Sequence, residues 1–432
     1  MNQLTEWQII VLAENLKSSP ASDLIATDLK NLLRTFCFIP PNNAVNIQFC
    51  LYTDFDLNEI FFDKPSGKVQ SNEDGPRFSV LRIQRGEQEA LPQEMPDLVG
   101  NQTSKVCLVK LHAIATSSPW TEENLSSAFT ICRKVVNASR TMLVTFGHGD
   151  GFAVFGSGQP ANPTAGSKNM GQSLNMDDLA AAIRRGFPGR KIDLILLQNC
   201  FMMTTDTLFA LQHVAEYVVA PQTAICFYGY HYKAILESIL STSGCISGET
   251  LCQIAVTSVS ACPAYSKHDG WLQKLALFGV HLKQLHAFDF FALQNELFAL
   301  FLGNVSKETL LRVRRQIVSP VFTASFLLSS GLIDLYAFLS LLETEINQSA
   351  YTAYLKQYKL VLSAMFGGEN PRIFKGSSLQ KIPAMQVNGM NIFIPLTPIH
   401  VSKGYYQRYY LNTPSAFARQ SRLAQLVDYM NS

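Results

Sequence analysis

The hydrophobic pattern changes character along the chain, and each change predicts a different kind of element. Residues 1 to about 36 predict two helices: Thr5 caps the first, and Ser19-Pro20 separates it from ASDLIATDLKNLLRTF. Pro40-Pro41-Asn42-Asn43 closes this stretch. Beyond it the apolar runs shorten. VNIQFCLYTDF (45–55) and RFSVLRIQ (77–84) predict strands on either side of a loop at 64–76. TEENLSSAFTICRKVVNAS (121–139) has a helix start and helical spacing, and TMLVTFGHGDG (141–151) is a short apolar run that ends in glycines. A Gly/Ser/Pro/Asn-rich stretch (156–172) follows. Ser173 or Asn175 then caps MDDLAAAIRRGF. KIDLILLQNC (191–200) is another short apolar run, a helix begins near Met203, and YVVAPQ (217–222) predicts a further strand. From about residue 283 the pattern is mostly helical, with MNIFIP (390–395) as a strand-like exception.

Unbroken apolar strands alternating with helices predict an α/β fold with a mostly parallel sheet covered on both faces. The expected division is a helical N-terminal extension (1–40), a core (41–282) and a mainly helical C-terminal subdomain (283–432) that returns one strand at 390–395.

Composition narrows the function classes. Hydrophobic residues are 47% and charged residues 16%, which excludes a disordered chain. Lys plus Arg (35) nearly balances Asp plus Glu (33), so no electrostatic footprint for nucleic acid or an anionic membrane is present. VFTASFLLSSGLIDLYAFLSLL (321–342) carries Asp334 and several serines, and its apolar positions recur at helical spacing, which predicts a buried amphipathic helix pair rather than a membrane span. Nine cysteines, an odd number with no CxxC pair, read as reduced core residues. MNQLTEWQIIVLAENLK lacks the pattern of a secretory signal, so the expected location is cytoplasmic.

Reactive groups stand at the ends of two apolar runs. In an open parallel sheet, functional side chains collect at the carboxyl ends of the strands. MLVTF delivers Gly147-His148-Gly149, and IDLILLQN delivers Cys200. If the two strands are neighbours, an imidazole and a thiol share one rim. The imidazole can take the thiol proton and return it to a leaving amine. The Gly149 N–H can point at a developing oxyanion, and the Cys200 N–H is expected at the start of the next helix, where free donors favour negative charge. A core cysteine and a glycine turn would account for either motif taken singly.

At these residues the sequence resembles the clostripain-type cysteine peptidases, of the clan that includes caspases, legumains and gingipains. Their pattern is an apolar strand ending in His-Gly-x-Gly and a second reading Asp-Leu-Ile-x-x-Asp-Ala-Cys-Leu-Met; here the stretches are LVTFGHGDG and IDLILLQNCFMM. YVVAPQTAICFYGYHYKAIL (217–236), LIDLYAFLSLL (332–342) and VNGMNIFIP (387–395) extend the likeness in order over about residues 43 to 428. The resemblance implies a caspase-like three-layer sandwich and peptide hydrolysis through a thioester. It makes His148 the general base and acid, Cys200 the nucleophile and Gly149 the oxyanion donor, with no third catalytic side chain required.

Gln198 departs from the pattern. The clostripain type has Asp there, whose carboxylate selects Arg or Lys at P1. An amide cannot neutralise a buried guanidinium, so Gln198 is the expected substrate-binding residue of a pocket with different preference. Caspases carry Gln there and cleave after Asp, with pocket arginines that this sequence does not reveal; a Gln floor equally serves a neutral polar P1, or its amide only satisfies loop backbone. The implied function is a regulated intracellular cysteine endopeptidase acting on protein or peptide. The alternative is a catalytically silent caspase-like binding or scaffold protein, and a thiol transferase or esterase would use the same acyl chemistry. No cofactor and no metal are expected. The resemblance leaves calcium open, although the sequence shows no DxDxDG-type ligand loop. Residues 1–40 are the expected docking element for an activating partner, with a packing extension over a sheet edge as the alternative. The loop at 156–173, which contains Lys168, is the expected place for a processing cut.

Overall fold

The structure is a computed structural model. It describes residues 5–14, 29, 32, 35, 47–53, 77–85, 106–115, 120–135, 138–155, 174–225, 229–241, 246–262, 275–287, 289–317, 331–346, 352–353, 355–358, 360, 373–376, 389–395 and 415–432. The strands in chain order are β1 (Thr5–Ala13), β2 (Ile47–Thr53), β3 (Arg77–Arg85), β4 (Val106–Ala115), β5 (Ala138–Phe146), β6 (Ala153–Val154), β7 (Leu174–Asn175), β8 (Ile192–Gln198), β9 (Ala215–Pro221), β10 (Leu277–His281), β11 (Leu332–Asp334), β12 (Ile373–Gly376) and β13 (Asn391–Phe393).

Nine of them form one sheet in the order β12-β10-β9-β8-β5-β1-β2-β3-β4. The middle five, from β9 to β2, run parallel. The flanking strands β10, β12, β3 and β4 pair antiparallel, so the whole sheet is mixed. The layers follow from alternation along the central strands. In β1, Ile10 and Leu12 join one core, while Trp7, Ile9 and Val11 join the other. In β8, Ile195 and Leu197 face the first core, and Leu194 and Leu196 face the second. A strand buried on both faces has no solvent-facing side, which is why these runs are largely apolar.

Helices cover both sides. On the first face lie α1 (Glu122–Val135), α2 (Met176–Gly186) and α3 (Thr205–Leu211). Helix α2 shows why the sequence folds locally. Asn175 caps it by accepting from the Asp178 N–H at 2.7 Å, acidic Asp177 and Asp178 occupy the first turn, and Arg184 and Arg185 the last. That arrangement suits the helix macrodipole. Leu179, Ala180 and Ile183 form its buried stripe. On the second face lie α4 (Tyr232–Ser241) and α5 (Gly248–Thr257). Beyond residue 283 the described chain is largely helical, and its helices pack on the first core.

The first expected helix is corrected. Thr5–Ala13 is a strand, and it lies in the middle of the sheet between β2 and β5. WQIIVLA is a short run buried on both faces, and periodicity cannot separate such a run from a buried helix. The residues of β1 therefore belong to the core sheet and are not available as a docking extension. Farther on, Leu29 and Leu32 are helical and buried in the second core. The strand expected at 390–395 is present, but the C-terminal part returns more than one: β11 and β12 also lie there, and β12 joins the edge of the main sheet. The paired part of the 390–395 strand, Asn391–Phe393, joins β11 in a separate two-stranded sheet. The stretch 321–342 is likewise not a helix pair where it is described: Leu332–Asp334 is a strand, and a single helix, Leu335–Glu345, follows it. Among the described residues no helix is long and apolar enough to cross a membrane.

Candidate active site

Two neighbouring strands deliver the expected reactive residues to one rim. β5 and β8 pair in parallel, with Phe146 opposite Gln198 at their carboxyl ends. Two residues farther along each strand stand His148 and Cys200. The loop carrying His148 packs directly on the turn carrying Cys200. A Cβ added to Gly149 would lie 2.6 Å from the Cys200 carbonyl oxygen, 2.9 Å from the Cys200 nitrogen and 2.7 Å from Asn199 Cβ. Only glycine permits that approach.

The His148 loop is shaped by a small hairpin. Phe155 N–H donates to the His148 carbonyl at 3.0 Å, and Asp150 N–H to the Ala153 carbonyl at 3.4 Å. These two bonds flank the facing pair Gly149 and Val154, so Gly149 sits at the wide position of the bridge. Among the described residues no acceptor takes the Gly149 N–H. The Asp150 carboxylate ties the turn by accepting from the N–H groups of Phe152 and Ala153, each at 2.9 Å.

The turn after β8 is equally constrained. Cys200 is half-buried, and its Sγ lies 3.8 Å from the Ile225 carbonyl. Phe201 adopts φ 63°, a left-handed conformation that costs a non-glycine residue about 1–3 kcal/mol. Its N–H donates to the Thr223 carbonyl at 3.0 Å, and its side chain is buried. Helix α3 begins only at Thr205, capped by Thr204. The expectation that the Cys200 N–H opens a helix is corrected, because the chain must first turn through Phe201 to reach Thr204. In the first turn of α3, Asp206 is buried and accepts from the Ser415 hydroxyl at 2.8 Å.

Burial holds the His148 imidazole below its ordinary value. The ring is therefore neutral at neutral pH, the state in which it can accept a proton. Gln198 is buried at the end of β8, where its Oε1 accepts from the Tyr232 hydroxyl. A Cβ on Gly229 (φ 55°) would lie 2.0 Å from that oxygen. The glycine admits the amide, and the tyrosine fixes its orientation.

Two polar residues at this rim were not singled out in the sequence. Glu14 follows β1 and is buried; its carboxylate accepts from the His148 N–H at 3.2 Å. Asn199 is buried, donates from Nδ2 to the His148 carbonyl at 2.9 Å, and accepts at Oδ1 from the Thr145 hydroxyl. The signal for Asn199 was present, since the residue before the cysteine is Ala in the clostripain pattern. Glu14 was hidden by the helical reading of its strand. The processing loop at 156–173 lies outside the described residues. Among the described residues no group of three or more His, Cys, Asp or Glu side chains is placed to hold a metal ion.

The model of the clostripain family matches residues 101–281, the stretch that holds both motifs. Over this stretch the chain is similar to the clostripain family. Solved structures of C11 proteases share its fold. One, a secreted C11 cysteine protease from Bacteroides thetaiotaomicron in complex with an irreversible peptide inhibitor, superposes with a TM-score of 0.53 at 14% identity, over 98% of each chain. A second, the secreted C11 cysteine protease "iotapain" of the same organism, gives 0.59 at 11% identity, over 96% of this chain and 99% of that one. An inactive zymogen C11 protease from Parabacteroides distasonis gives 0.56 at 14% identity, over 91% and 93%. No curated protein matches the chain. The clostripain-type fold thus extends beyond the matched segment to nearly the whole chain.

The cytoplasmic expectation is corrected by these relatives, two of which are secreted proteases. That expectation rested on the opening residues, and the cysteines lend it no support. Buried thiols such as Cys50, Cys132, Cys252 and Cys262 are shielded by packing, and a sheet covered on both faces is held by its core rather than by disulfides. Reduced cysteines therefore say little about the compartment.

Proposed function

We propose that this clostripain-type peptidase cleaves peptide bonds with a Cys200–His148 dyad and a thioester intermediate. The observation that carries the reading is the seating of Gly149 on the main chain of Cys200, which sets the two motifs edge to edge at the end of paired strands. The neutral His148 ring takes the thiol proton of Cys200. The thiolate attacks the substrate carbonyl carbon, and the electron pair of the C=O bond moves to oxygen. The Gly149 N–H, which lies outside the local hydrogen-bond ladder, donates to that oxyanion. His148 then gives its proton to the departing amine, leaving an acyl-thioester on Cys200. Water, deprotonated by the same ring, releases the acid product and regenerates the thiol.

Gln198 is the residue through which we read specificity. With its oxygen engaged by Tyr232, the amide brings no negative charge to the rim beside Cys200. A neutral polar P1 side chain suits such a floor better than Arg or Lys, whose charge would go unpaired. The peptide-inhibitor complex of the Bacteroides relative supports a peptide as the ligand class.

The test compares wild type with Cys200→Ala on a diverse peptide library, alongside covalent labelling by a peptidyl acyloxymethyl ketone. Cleavage lost in Cys200→Ala, with labelling at Cys200 that His148→Ala abolishes, is the expected result. Equal cleavage by wild type and Cys200→Ala would refute the proposal. No cleavage and no labelling by wild type would favour a binding protein on the same fold.

A further inference from the structure

We infer that Asn199 and Glu14 are positioning residues that grip the main chain of His148 from opposite sides and so fix where its imidazole stands relative to Cys200. This rests on the dyad reading above and adds two residues that do not touch the reacting atoms.

The two peptide groups of His148 are held separately. Its N–H donates to the Glu14 carboxylate at 3.2 Å. Its carbonyl accepts from Asn199 Nδ2 at 2.9 Å and from the Phe155 N–H at 3.0 Å. The grips come from different strands. Glu14 follows β1, and its own N–H is fixed by the Phe146 carbonyl at 3.0 Å. Asn199 follows β8, immediately before the cysteine. Three parallel strands therefore converge on one residue.

Asn199 does more than support a loop. Its Oδ1 accepts from the hydroxyl of Thr145, which lies in β5 and is fully buried. The bond orients the amide so that its N–H, rather than its oxygen, faces the His148 carbonyl. Because Asn199 and Cys200 are adjacent, the same amide that holds the histidine is one peptide unit from the thiol. A displacement of one is thereby opposed by the other. Glu14 is the costlier partner. Burying a carboxyl group at 4% exposure costs free energy that hydrogen bonds must offset, and the His148 N–H supplies one of them. Displacements near 1 Å at a reacting pair cost on the order of a hundredfold in rate, so the grip matters to turnover rather than to binding.

The experiment uses the full chain and reads kcat, KM, the rate of acyloxymethyl ketone labelling and the thermal midpoint. Asn199→Asp is nearly isosteric and can still accept from Thr145, but when ionised it cannot donate to the His148 carbonyl. It is expected to lower kcat about tenfold or more with KM within about twofold, as is Asn199→Ala. Glu14→Gln keeps an acceptor for the His148 N–H and is expected to hold kcat within about threefold, whereas Glu14→Ala falls with the Asn199 variants. Wild-type kcat in folded Asn199→Asp or in Glu14→Ala would overturn the inference. So would losses confined to KM, or a Glu14→Gln as impaired as Glu14→Ala. If Cys200→Ala and His148→Ala still cleave, the dyad itself is wrong. If those two are dead while the Asn199 and Glu14 variants turn over normally, the dyad stands and only this inference falls.

Discussion

The Gln222 side chain donates to the Asp334 carboxylate at 2.8 Å across the boundary between the main sheet and the small β11–β13 sheet. The same amide nitrogen lies 3.0 Å from Asn391 Oδ1, its oxygen accepts from the Gly389 N–H at 2.9 Å, and the Gln222 carbonyl accepts from Asn391 Nδ2 at 2.7 Å. All three side chains are buried. Asn391 also donates its N–H to the Met203 carbonyl at 2.8 Å, so the network reaches the turn that follows Cys200.

Asp334→Ala should therefore be costly without touching the proposed dyad. Asp334 caps the helix Leu335–Glu345 through the Ala337 N–H at 2.7 Å, worth about 1 kcal/mol. Its removal also takes a partner from the buried Gln222 amide, at about 1–3 kcal/mol. Urea denaturation should report a loss of about 2–4 kcal/mol. A loss below about 0.5 kcal/mol would mean that the network relaxes freely. By contrast, the ion pair from Glu345 on this helix to Arg312 on the helix Lys307–Gln316 is solvent-exposed, so Glu345→Ala should cost at most about 1 kcal/mol.

Gly149→Ala tests the contact between the two motifs. The new Cβ meets backbone rather than a flexible side chain, so the His148 loop must withdraw from Cys200. The expected outcome is a fall in kcat/KM of about 100-fold or more, from lost oxyanion stabilisation and lost dyad geometry together. Retention of more than about a tenth of wild-type activity would exclude Gly149 as a donor.

The pH dependence follows from burial of His148. Its depressed value means the ring stays neutral below the usual histidine range. The acid limb of kcat/KM should have its midpoint below about 6.5, the ordinary histidine value. Linkage gives the same direction for stability. The unfolded chain binds the proton more readily, so the folded state is at no disadvantage above the ordinary value. Stability is then lost as pH falls from that value down through the folded one. His148→Gln should remove that part of the acid sensitivity in a thermal-melt series. A midpoint above 7 in the rate profile would contradict the assignment of burial as the dominant cause.

Gln198→Asp should move substrate choice. It places a carboxylate where the clostripain pattern has one, near a rim whose present floor is neutral. The ratio of kcat/KM for Lys or Arg over Gln at P1 should rise by about tenfold or more in a P1-scanning library. An unchanged ratio would show that residue 198 does not line the pocket.

How much of this was visible in the sequence depends on where each signal lies. β5 and β8 were legible because an apolar run ending in glycine or cysteine is hard to read otherwise, and the parallel sheet followed from them. β1 was not, since Thr5 and the spacing of Trp7, Ile10 and Val11 imitate a capped helix. Only its neighbours β2 and β5, both distant in sequence, decide the matter. VCLVKLHAIA of β4 carried no chemistry to draw attention to it, although it reads as a strand of apolar and polar residues. The roles given to Glu14 and Asn199 depend on bonds to a main-chain group of a distant residue, and no local pattern encodes such bonds.

The position of β1 has a consequence for how the molecule is assembled. Its partners are β2, some forty residues along by the Trp7–Ile47 register, and β5, whose Thr141 sits beside Gln8. The closing of the sheet thus waits on synthesis of the fifth strand, with the first held in reserve until then. Losing the opening residues would not trim a margin. It would cut the sheet in two and leave β2 and β5 with raw edges, ready to pair with other chains.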